Sequence, residues 1–98
     1  MPEGVSQLPI VQFLNRLMGD LGLTPAQLSQ AVGYRNGGNA LMGLDRLQLW
    51  LDTGDGHGRI LDQICSVFPA SAAGLKDALA ATRAIRVRML SVLISPPP

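Results

Sequence analysis

The chain has one cysteine and one histidine among its 98 residues. A single thiol excludes an internal disulfide, which fits a reducing compartment. His57 stands between two glycines, with no Cys or His at ligand spacing around it. Neither a metal centre nor a nucleophile–base pair can be assembled from such a set. Gly54, Gly56 and Gly58 lack the Lys-Ser/Thr of a phosphate loop, and the acids of Asp52 to Gln63 do not have calcium-loop spacing. No metal, no cofactor and no enzymatic activity are therefore expected. Aromatics are also scarce, at 4% of the chain, so the core must rest on aliphatic side chains. An excess of charge is missing too: eight basic residues face seven acidic ones, for a net +1. The strong overall basicity of many nucleic-acid-binding domains is absent. Long apolar runs are absent as well. The segment Met89 to Ile94 is broken by Ser91 and too short to span a bilayer. Met1-Pro2-Glu3-Gly4 is not the basic opening of a signal peptide. A cytoplasmic protein with no membrane segment is the expectation.

What is present is helical periodicity. Apolar residues make up 47% of the sequence, enough for one folded domain. Ile10, Phe13, Leu14, Leu17, Met18 and Leu21 recur at spacings of three and four, the apolar face of a first helix ended by Gly22. The next stretch carries the strongest local signals. Thr24 can accept the N–H of Gln27, and Gln27 can reach back to the N–H of Thr24, which is a capping box. Pro25 suits the first helical position, and Gly33 suits the left-handed close of a helix over Pro25 to Val32. Ala31 is small enough for a close helix crossing. After a Gly37-Gly38 turn, capped by Asn36 or Asn39, a third helix is expected from about Asn39 to Leu51, with Trp50 beside its apolar set. A loop from Asp52 to Gly58 leads to a fourth helix, Arg59 to Phe68, stopped by Pro69. Cys65 falls near the core face of that helix and reads as a small buried hydrophobe. Ser71 can cap a fifth helix using Leu75, Ala78, Leu79, Thr82, Ile85 and Met89. The expected architecture is all-α, a five-helix bundle with a helix-turn-helix core. Residues 1–8 form a flexible lead-in, 9–89 the helical domain and 90–98 an apolar, proline-rich tail.

The order helix, short capped helix, turn, helix resembles a helix-turn-helix domain. Gln27-Leu28-Ser29-Gln30-Ala31-Val32-Gly33 in particular resembles the second helix of the lambda-repressor-like (XRE-type) family, with a Leu near the helix start, a small Ala at the crossing and a Gly in the turn. That resemblance implies a small DNA-binding transcriptional regulator, acting as a homodimer on double-stranded DNA. Carried over by position, it implies Tyr34, Arg35, Asn36, Asn39, Met42 and Arg46 as the DNA-binding residues. Arg is suited to guanine or phosphate, Asn to adenine and Tyr to phosphate. The chain departs from the family in having Asn39, Met42 and Gly43 where basic residues are expected, and Pro25 where a polar residue often touches phosphate. From Arg35 to Asp62 there are three Arg and four Asp, a net charge of −1. Phosphate contacts dominate DNA affinity, so this face favours weak binding. The alternative is a protein-interaction or dimerisation module that keeps the fold without binding DNA.

Two further features bear on partners. Lys76, Arg83, Arg86 and Arg88 make the fifth helix basic, and are candidates for phosphate or partner contacts, or a solvated face whose late cations suit the helix dipole. Met89 to Ile94 is either an interface or a segment that packs back on the first helix.

Overall fold

The structure is a computed structural model that describes residues 7–94, with side chains to Arg88. The remainder of the lead-in, the terminal prolines and the side chains of 89–94, including Met89, lie outside the described residues. The chain forms the expected all-α, five-helix arrangement: α1 Pro9–Leu21, α2 Pro25–Ala31, α3 Gly37–Thr53, α4 Gly58–Val67 and α5 Ala72–Ile94, with a short 3-10 turn, Pro69–Ser71, between the last two. No helix among the described residues is long and apolar enough to cross a membrane.

Local cap chemistry sets the first three helix ends. At Gly22 (φ 68°) the chain turns left-handed, and the Leu23 N–H donates to the Met18 carbonyl at 2.9 Å. Leu23 then packs against the core, as the apolar partner of a glycine C-cap should. The Thr24 capping box forms in both directions: Gln27 N to Thr24 Oγ1 at 3.2 Å, and Thr24 N to Gln27 Oε1 at 2.9 Å. At the other end of α2, Gly33 N donates to Gln30 O at 3.1 Å and Tyr34 N to Ser29 O at 3.0 Å, with Gly33 at φ 118°. These are the paired bonds of a Schellman motif, so α2 is capped at both ends within a dozen residues.

Helix α3 starts at Gly37, ahead of the expected Asn39, and runs on to Thr53. Asn36 occupies the N-cap position but makes no side-chain cap; its carbonyl accepts Asn39 N at 2.9 Å and Ala40 N at 3.3 Å, the first bonds of the helix. Helix α5 continues past residue 89 to Ile94, so the start of the expected tail is helical. Leu8, placed at the end of a flexible lead-in, is buried in the core.

Helix α1 packs against α5 and α3, α2 packs on α3, and α4 closes the bundle against α5. Ile10, Leu14, Leu28, Leu47, Ile60 and Ile64 are fully buried where they meet. Each such side chain contributes about 1.5–3 kcal/mol relative to exposure. Trp50, expected beside the apolar set of α3, is a full core residue at 1% exposure, and its indole donates to the His57 carbonyl at 2.9 Å. That bond ties the 54–57 loop to α3. Cys65 is half-buried beside the core.

One buried polar contact joins the two ends of the domain. Leu8 supplies no side-chain cap to α1. The Ile10 N–H instead donates to Thr82 Oγ1 on α5 at 2.9 Å, while the same hydroxyl donates to the Ala78 carbonyl at 2.9 Å. Thr82 is thus an N-cap delivered from a different helix, and it fixes α1 against α5.

Candidate nucleic-acid interface

The six residues carried over to DNA contact fall into three environments. Arg35, Asn36 and Asn39 are exposed around the start of α3, and Met42 follows one turn later, exposed at 37%. Arg35 is held in place by its Nε, which donates to the Gln30 carbonyl at 3.0 Å. A cation there also meets the negative end of the α2 dipole. Arg46 is half-buried, and Tyr34 is 6% exposed. Tyr34 therefore belongs to the interior of the turn, not to an outward phosphate-contacting surface.

Gly43 explains the placement of Tyr34. The tyrosine ring lies directly on Gly43, so close that a Cβ there would overlap the ring. Glycine at this point of α3 is a packing requirement of the turn. It is not a lost basic residue. The connection between α2 and α3 is thereby clamped by Gly33, whose φ only glycine adopts readily, and by Gly43, which receives the ring.

Asn39, Met42 and Arg46 recur at helical spacing along one flank of α3. With Tyr34 they face Arg59 and Gln63 of α4 across a groove of about 340 Å³. Arg59 is in the first turn of α4, and Gln63 lies one turn further on the same side. The Tyr34 hydroxyl and Gln63 Oε1 are both buried and meet no hydrogen-bond partner among the described residues. A buried polar group without a partner costs about 1–3 kcal/mol. Arg59 and Gln63 are not among the site residues expected from the sequence. Their i, i+4 spacing outside the apolar set of α4 is visible there, but the approach of that pair to α3 depends on the tertiary fold.

The outward face of α3 has a different character. Leu41, Asp45, Gln48, Leu49 and Asp52 are all exposed, Leu41 at 67% and Leu49 at 48%. Acid and aliphatic side chains thus dominate the middle and end of the helix. Its first turn and the residues before it hold the exposed Arg35, Asn36 and Asn39 and no carboxylate.

The cations of α5 form a separate set. Arg83 and Arg86 line a second cavity, of about 290 Å³, together with Trp50, Leu79 and Val87. Arg86 is half-buried and donates through Nη2 to the Thr53 carbonyl at the end of α3. It closes the negative end of that helix rather than lying free on a solvated face. Lys76, Arg83 and Arg88 are exposed. Arg46 and Arg59 line one groove, and Arg83 and Arg86 the other.

No family model, curated protein or solved structure matches the chain.

Proposed function

We propose that the protein is a small DNA-binding transcriptional regulator of the lambda-repressor-like helix-turn-helix type, acting as a homodimer. The observation that carries this is the start of α3, where Arg35, Asn36 and Asn39 are exposed, free of neighbouring carboxylates, and follow a doubly capped α2. Recognition helices read base edges with their N-terminal residues. Asn36 and Asn39 are suited to adenine, and Arg35 and Arg46 to phosphate or guanine. Tyr34 supports the turn from inside. The few cations make the interaction weak and strongly dependent on salt. Gel retardation of duplex DNA at low salt tests the proposal. Retardation is expected, and Arg35→Ala or Arg46→Ala should each weaken it. Absence of any retarded species at low salt would refute it.

A second function is favoured by the exposed Leu41 and Leu49 with Asp45 and Asp52 on the outer face of α3. Such a face suits a protein partner or a second copy of the chain better than a phosphate backbone. In that case light scattering after gel filtration should give a dimer that Leu41→Glu and Leu49→Glu convert to monomer, with no retardation of DNA by the parent protein.

A further inference from the structure

We propose that the groove between α3 and α4 binds a small ligand bearing an anionic oxygen group, phosphate or carboxylate, together with a hydroxyl or amine. Three properties of the groove support this. Its volume, about 340 Å³, lies at the lower end of the range of small-molecule sites. It is lined by Arg46, Arg59 and Asn39, with no carboxylate in its lining. Two more of its lining residues, Tyr34 and Gln63, each carry a buried polar atom without a partner, the Tyr34 hydroxyl and Gln63 Oε1, and Tyr34 is 6% exposed.

The chemistry of those atoms defines the ligand. Arginine and a tyrosine hydroxyl are donors, and an oxyanion accepts from all of them. Gln63 Oε1 is an acceptor and needs a donor in return. A DNA phosphodiester offers oxyanions but no hydroxyl or amine at the backbone, so it satisfies only part of the wall. A free molecule with both groups, such as a phosphorylated alcohol or a hydroxy acid, satisfies all of it. The site goes beyond the proposed DNA contact: Arg59, Gln63 and the Tyr34 hydroxyl take no part in that contact, although Asn39 and Arg46 are shared.

The test is an NMR titration of the full chain with glycerol 3-phosphate, following the side-chain signals of Arg59 and Gln63. Glycerol and sodium chloride at matched ionic strength are the controls, and inorganic phosphate is the comparison. Saturable shifts are expected with glycerol 3-phosphate, weaker ones with phosphate, and none with glycerol or chloride. Tyr34→Phe keeps the ring on Gly43 and removes the hydroxyl, and should weaken binding about tenfold or more, as loss of a hydrogen bond to a charged group does. Arg59→Ala changes an exposed side chain and should remove saturation while the helical circular dichroism stays unchanged. Duplex binding measured on Arg59→Ala separates the sources. Loss of duplex binding in that variant assigns the anion site to the nucleic-acid backbone and overturns the free-ligand assignment, and a duplex response unchanged from the wild type supports it. The proposal is also overturned if neither phosphate compound gives saturable shifts, or if the shifts survive both Arg59→Ala and Tyr34→Phe. Neither of these two results depends on whether the protein binds DNA.

Discussion

Replacing Thr82 by valine removes one oxygen atom and keeps the shape of the side chain. In the native protein that oxygen accepts the Ile10 N–H at 2.9 Å, in a position where α1 has no cap of its own. Pro9 removes one of the four unpaired donors at the start of α1, and Ile10 is the next. Thr82 is 1% exposed and Ile10 is fully buried, so water cannot replace the lost partner without opening the α1–α5 contact. Leaving that donor unpaired costs about 1–3 kcal/mol, less a modest gain from the more apolar valine. The donation to the Ala78 carbonyl adds little, because a carbonyl within a helix already has its backbone partner. The expected net loss is about 1–2 kcal/mol, or roughly 4–16 °C in Tm for a domain of this size. Thr82→Ser makes the converse change: it keeps the hydroxyl and loses a buried methyl worth about 0.8 kcal/mol. Thermal and urea unfolding followed by circular dichroism should rank the wild type first, Thr82→Ser second and Thr82→Val last. Hydrogen exchange should show faster exchange at the Ile10 amide in Thr82→Val and near-native protection in Thr82→Ser. A valine variant as stable as the wild type, or more stable than the serine variant, would refute the role of Thr82 as a cap.

Gly43→Ala forces the Tyr34 ring off α3 and should destabilise the domain by about 1–3 kcal/mol in urea unfolding, the usual cost of overpacking. Tyr34→Ala removes the ring but keeps the Tyr34 Cβ, which a Cβ at Gly43 also overlaps, so the combined variant should recover only part of the loss, and a double-mutant cycle measures that part. Thr24→Ala breaks the capping box and should cost about 0.5–2 kcal/mol, read from the same unfolding curves. Lys76→Ala changes an exposed side chain on α5 and should move stability by less than about 0.5 kcal/mol.

The features legible in the sequence are those whose partners lie within a few residues. Thr24, Pro25 and Gln27 announce the start of α2, and Gly22 with Leu23 announces the end of α1, because caps are local chemistry. The apolar spacing of Ile10, Leu14 and Leu17 likewise gives the core face of α1 directly. Non-local contacts are not legible. Thr82 reads only as part of the α5 core face, since nothing near it reveals that Ile10 needs an acceptor. Gly43 reads as a missing basic residue until the Tyr34 ring is found lying on it. Helix α3 begins at Gly37, whose φ of 49° is one that glycine adopts readily, so the glycine suits the turn into the helix rather than opposing it. Arg59 and Gln63 escape notice for a related reason: a groove belongs to two helices, and each helix seen alone shows only a solvated flank. Arg86 gives a similar false impression, since its carbonyl partner at Thr53 lies far away in the chain.

The most direct test of the proposed function is the salt dependence of duplex DNA binding, measured by fluorescence anisotropy. Arg35 and Arg46 are the two cations assigned to the DNA contact. If each neutralises one phosphate, log K against log salt should fall with a slope of about −1.8 per copy of the chain. Arg35→Ala and Arg46→Ala should each make that slope shallower by about one unit. Binding whose slope is unaffected by either change, or no binding at about 50 mM salt, where such contacts are strongest, would contradict the proposal.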